Sequence, residues 1–128
     1  MQTKGEGVRK EKTRGEGKEV KIPPNRWNII QRIIRDYPMM AAELETMKKK
    51  SKYRDRLIRE TEAVKEALTL FTDAERAVIQ ERFWTYEDKN KSYEDMWQQP
   101  FSARQMRRIA FRMVIEVGTR LGHISKDA

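Results

Sequence analysis

The chain of 128 residues contains no cysteine and a single histidine, His123. These absences exclude a disulfide framework, a thiolate nucleophile and a cysteine zinc site. Any catalytic system that needs two histidines is excluded with them. No apolar run approaches the roughly 18 residues of a membrane span. The stretch Met1 to Gly7 is polar and offers no hydrophobic segment for a secretory signal. The expectation is a soluble cytoplasmic protein with no membrane partner.

Glycine is absent where a nucleotide-binding loop would need it. The six glycines lie at 5, 7, 15, 17, 118 and 122, so none falls between Lys18 and Val117. A P-loop or a Rossmann turn requires glycine where backbone approaches phosphate, and neither fits. Asn-Gly and Asp-Gly hairpin signals are missing too. No convincing alternating strand is visible, whereas several stripes repeat at helical spacing. The chain reads as all-α: an N-terminal helical hairpin or small bundle, then a helix-turn-helix.

What the chain has in excess is positive charge. Lys plus Arg number 28 against 20 Asp plus Glu, a formal charge of +8. The excess favours a polyanionic partner. Residues 1–24 have few apolar side chains and read as a disordered basic tail. Residues 25–71 carry Trp27, Ile30, Ile33, Ile34 and Tyr37 on one face of a helix that Asn25 can cap. Pro38 should break that helix and start a short second one bearing Met40, Leu44 and Met47. Tyr53, Leu57, Val64, Leu68 and Phe71 then mark a long helix over about 52–70. The basic run Lys48 to Arg59 reads as a solvated face, with a second phosphate-contacting patch as the alternative.

Residues 72–123 hold three helix-start signals. Thr72 with Glu75 and Ser102 with Gln105 have the form of capping boxes, and Ser92 to Asp95 resembles them. Ala74, Val78, Ile79 and Phe83 supply a buried face, and Thr85 to Lys91 a polar loop. Met96 and Trp97 belong to a very short helix, and Gln98 to Phe101 make a turn. On the last helix, 103–121, Ala103, Met106, Ala110, Met113, Val114, Val117 and Leu121 share one sector. Phe111 and Ile115 fall toward the outside, as exposed apolars or a dimer contact. Residues 124–128 form a short C-terminal tail.

One absence in this region is informative. From Gln98 to Ile115 there is no acidic residue, but there are four arginines, 104, 107, 108 and 112. Arg104, Arg108 and Arg112 repeat every four residues, a spacing at which like charges repel. The row implies an anion lying against this face. Arginine suits phosphate and guanine because its planar fork forms paired hydrogen bonds. A short helix, a turn and a longer capped helix form a helix-turn-helix, whose second helix enters the major groove N-terminus first.

Thr72 to Gly122 resembles the C-terminal part of phage late-transcription regulators of the RinA and ArpU type, which are similar to region 4 of sigma factors. The matching stretches are Asp73 to Trp84, Ser92 to Met96, Ser102 to Arg112 and Arg120 to Gly122. Ile33 to Pro38 resembles their N-terminal helices more weakly. The resemblance implies a DNA-binding transcriptional regulator of phage or prophage genes, an activator of late genes acting in the bacterial host cytoplasm. Its implied partners are double-stranded DNA and bacterial RNA polymerase, with a homodimer as a further state. Carried over by position, the DNA-facing residues are Ser102, Arg104, Gln105, Arg107, Arg108 and Arg112. Trp97 stands where the family has a small residue, and the turn 98–101 is shorter and lacks the usual glycine.

Other constellations point elsewhere more weakly. His123 after Gly122 fits a helix end rather than a metal site. The acidic pairs Glu43/Glu45, Glu60/Glu62 and Glu87/Asp88 read as solvated. Trp84 and Trp97 read as core anchors before stacking platforms. No cofactor, metal or enzymatic activity is implied. Two alternatives remain open: a phage DNA-packaging component similar to a small terminase subunit, and a helical protein-interaction adaptor.

Overall fold

The computed structural model describes residues 9–13, 18–85, 92–96 and 98–124. The protein is all-helical in its body, with a small ribbon ahead of it. Strands β1 (Arg9–Thr13) and β2 (Lys18–Ile22) pair antiparallel, with Arg9 opposite Ile22 and Thr13 opposite Lys18. The helices are α1 (Pro24–Thr46), α2 (Lys52–Leu68), α3 (Asp73–Ile79) and α4 (Ala103–Arg120). A π-helical turn, Gln80–Thr85, continues α3, and a 3-10 turn, Tyr93–Met96, precedes α4.

The ribbon lies within residues 1–24, the stretch read as a disordered basic tail, of which residues 1–8 and 14–17 lie outside the described residues. Its two strands are separated by four residues, so the missing two-residue hairpin signal does not bear on them. An isolated two-stranded ribbon is marginal in water. Ile22, the last residue of β2, is fully buried and joins the ribbon to the helical core.

Helix α1 corrects two expectations. Asn25 does not cap it: the helix starts at Pro24 after Pro23, and the Asn25 side chain accepts from the Arg26 amide. Pro at the first helical position loses no hydrogen bond, because that N–H has no intrahelical partner. Nor does Pro38 end the helix, which runs on to Thr46. Pro38 has no N–H to donate to the carbonyl of Ile34, one turn back. The indole of Trp84 supplies the donor instead, with Nε1 2.6 Å from that oxygen. The acceptor that would otherwise stay unsatisfied is thus filled from the π-helical turn.

Local signals account for the other helix starts. Ser51 caps α2 by accepting from the Arg54 amide. Thr72 and Ser102 both form complete capping boxes, with Glu75 and Gln105 reaching back. Between α2 and α3, Arg76 donates to the carbonyls of Leu68 and Phe71, and its guanidinium also pairs with Asp73. The corner is therefore held by a side chain that closes the end of the preceding helix.

Helix α4 lies against α1, α2 and α3, and one hydrophobic cluster joins them all. Phe111 and Ile115, expected outside, are each 7% exposed. Their burial follows from the number of neighbours: a helix covered on several sides is apolar over most of its girth. The Phe111 ring stacks on Trp27 of α1, with centroids 5.4 Å apart. Tyr53 departs the other way; it is exposed and donates its hydroxyl to the Glu43 carboxylate at 2.9 and 3.1 Å. Trp97, residues 86–91 of the polar loop and residues 125–128 lie outside the described residues. No described helix is long and apolar enough to cross a membrane.

The end of α4 is closed by Gly122, whose φ of +79° is the left-handed conformation glycine tolerates. The amide of Gly122 bonds to Thr119 O and that of His123 to Gly118 O, the paired bonds of a Schellman end. Ile124 then folds back over Gly118. A Cβ built on Gly118 would lie 2.6 Å from side-chain atoms of both Ile124 and Ile30. The guanidinium of Arg26 donates to the His123 carbonyl at 3.0 Å, which ties this end to the start of α1.

Candidate nucleic-acid interface

Ser92 begins the sequence of elements that presents α4. Its amide and hydroxyl both donate to Asp95, at 3.2 and 3.1 Å, and Met96 is buried below them. The turn that follows is tethered by the Gln99 side-chain amide donating to Glu81 of the π-helical turn at 2.5 Å. Ser102 then opens α4. The first element of the pair is a single 3-10 turn of four residues, which makes the arrangement tighter than two full helices would be.

The six candidate residues do not form one equivalent set. Ser102 and Gln105 are exposed, but each is engaged by the capping box. The Ser102 hydroxyl accepts from the Gln105 amide at 3.1 Å, and the Gln105 side-chain oxygen accepts from the Ser102 amide at 2.9 Å. The Gln105 NH2 group takes no part in that pair and can donate outward. Arg104 and Arg108 are exposed, and neither has a hydrogen bond or ion pair among the described residues.

Arg112 is different. Its guanidinium lies 3.4 Å from Glu75 of α3 and 4.5 Å from the centroid of the Phe71 ring. The spacing in α4 alone suggests an uncompensated row, but α3 brings a carboxylate to one member of it. Arg112 therefore braces α4 against α3, and the uncompensated pair is Arg104 and Arg108.

Arg107 also turns away from that pair. It lies 5.3 Å from the centroid of the Tyr93 ring, and Arg82 approaches the same ring at 4.3 Å. Arg35 of α1 stands over Phe83 at 5.5 Å. Burial, and then the nearby charge of Arg82, holds the Arg35 guanidinium below its ordinary range, while Tyr93 acts in the opposite sense. A recess of about 80 Å³ opens beside this group, lined by Trp27, Gln31, Arg82, Tyr93, Arg107 and Phe111 among others. Sequence reasoning passes over Tyr93 and Arg82. They meet Arg107 only through tertiary packing, and no spacing rule links the three.

The basic run keeps its expected exposure at Lys48, Lys49, Lys50, Lys52, Arg56 and Arg59, while Arg54 is half-buried. Arg56 is partly engaged, over the Tyr53 ring at 5.2 Å and 3.9 Å from Glu60. Trp84 is a structural donor to Ile34, with its ring 5.7 Å from that of Tyr37. Comparison with protein-family models, curated proteins and solved structures finds no match.

Proposed function

We propose that the chain is a double-stranded DNA-binding protein of the phage transcription-regulator kind, which reads DNA with the first turns of α4 in a sigma-region-4-like helix-turn-helix. The observation that carries this reading is the exposed Arg104 and Arg108 pair, one turn apart and without a carboxylate among the described residues. It sits directly after a capped helix start that follows a tight turn. In that geometry Arg104, Arg108 and the outward amide of Gln105 face base edges, since Arg pairs with guanine and Gln with adenine. The orphan amides at the start of α4 favour a backbone phosphate beside Ser102. The net charge of +8 supplies the salt-dependent, sequence-independent attraction.

The resemblance to RinA and ArpU type regulators supports late-gene activation, with RNA polymerase as a second partner. Exposed Ile29 and Met39 on α1, with Tyr53 on α2, line a groove of about 340 Å³ and favour a protein-contacting role for that side. Binding to a random pool of duplex DNA at two salt concentrations, followed by sequencing, tests the reading. Enrichment of one motif that persists at the higher salt supports it. Uniform retention lost with salt reduces the chain to a generic basic protein, and no retention at low salt favours the adaptor alternative.

A further inference from the structure

Four side chains on one face of α1 are left unmatched by the rest of the fold. Ile29 and Met39 are large and apolar, yet 42% and 66% exposed. Arg32 and Asp36 stand between them, and neither has a hydrogen bond or ion pair among the described residues. The two charges are one turn apart, but the helix does not pair them. All four line the groove between α1 and α2, and on a wheel they fall within about 80° of one another.

One arrangement matches all four together. Along the chain the midpoint of Ile29 and Met39 is residue 34, and so is that of Arg32 and Asp36. In two antiparallel helices related by a two-fold axis, residues that share a midpoint lie opposite each other. We propose that this face of α1 is a self-association surface, on which α1 of a second copy packs antiparallel about the level of residue 34. Ile29 then meets Met39 of the partner subunit, Arg32 meets Asp36 of the partner subunit, and the symmetry repeats both contacts. Charge favours a second copy over other occupants. Each chain carries +8, so two copies repel in general and a self-contact needs a face of balanced charge. The groove is such a face, since its lining holds three arginines and three carboxylates. A strongly charged partner of either sign would gain little there. The contact needs neither Arg104 nor Arg108 and does not rest on the DNA reading.

Sedimentation equilibrium of the full chain from about 1 μM to about 1 mM tests the proposal, because so small a face associates weakly. The mass should rise from one chain to two and stop there, since a two-fold contact closes on itself. Arg32→Asp and Asp36→Arg should each weaken the dimer about tenfold, as each sets like charges opposite one another at two places. Mixed one to one, the two variants should associate again, because two acids on one chain then face two arginines on the other. A change confined to a single helix cannot produce that recovery. Lys50→Asp, exposed in the α1–α2 turn, alters net charge as much as Arg32→Asp and should leave the dimer intact. Ile29→Ser with Met39→Ser is an independent variant and should also weaken it about tenfold. All of these variants should keep the wild-type melting temperature at low concentration. A chain that stays monomeric throughout would overturn the proposal and leave the groove to a different protein. A dimer unchanged by both charge reversals, or a mixture no tighter than either variant alone, would overturn it as well.

Discussion

The indole nitrogen of Trp84 donates to the carbonyl oxygen of Ile34, the acceptor that Pro38 leaves without its helical donor. One side chain thus allows a proline to sit inside a helix that continues for two further turns. Trp84 lies within the π-helical turn, from which its indole reaches the α1 backbone. Trp84→Phe should keep most of the ring packing but lose the donor. A cost of about 1–3 kcal/mol is expected for the orphaned carbonyl. Pro38→Ala should recover part of that cost in the Trp84→Phe background, because the new amide can bond to Ile34. Urea unfolding of the two single variants and the double variant checks it. Additive effects would show that the indole and the proline are not linked.

Gly118 allows α4 to pass close to Ile30 and Ile124. Gly118→Ala gains about 1 kcal/mol of helix propensity. Overpacking against fully buried Ile30 should cost about 1–3 kcal/mol. Net destabilisation is expected, and shortening the second neighbour with Ile124→Ala should relieve it. A lower melting temperature for Gly118→Ala, with partial recovery in the double variant, is the outcome to look for.

Arg104, Arg108 and Arg112 of α4 should separate by function. Arg104→Ala and Arg108→Ala should each reduce binding to a selected DNA site by about 1–3 kcal/mol and relax its sequence preference. Arg112→Ala should instead lower thermal stability, since it removes the Glu75 contact and the Phe71 stacking. Its effect on sequence preference should be small. Equal loss of specificity in all three variants would contradict the division.

Tyr53 gives a prediction at high pH. Its hydrogen bond to the Glu43 carboxylate raises the phenol above its ordinary value of 10.0. The folded state therefore holds the phenolic proton more tightly than the unfolded state does. The resulting stabilisation is complete below the unfolded value and is lost as pH rises through the folded one. Stability should fall above pH 10, and Tyr53→Phe should remove that part of the fall. A phenolate absorbance titration should show one tyrosine ionising later in the wild type than in Glu43→Gln.

The parts of this fold that the sequence announces are those fixed by neighbours in the chain. Thr72 with Glu75 and Ser102 with Gln105 form their caps within four residues, and Gly122 closes α4 by its own backbone conformation. Pro38 misleads because its rescue comes from Trp84, far along the sequence. Phe111 and Ile115 mislead because a wheel describes one helix and not the neighbours that cover it. The ribbon is hidden by its charged residues, and buried Ile22 joins it to the core. At the candidate interface, exposed Arg104 and Arg108 are legible from spacing. The Glu75 partner of Arg112 and the Tyr93 partner of Arg107 are not, since both arrive from other elements.

The Arg26 contact with the His123 carbonyl brings the entry to the helical body and its exit to the same pole. Helix α4 has 18 residues, so its first turn lies about 27 Å from that pole. Cargo attached before α1 or after α4 would therefore hang at the far side of the body from Ser102 and Arg104.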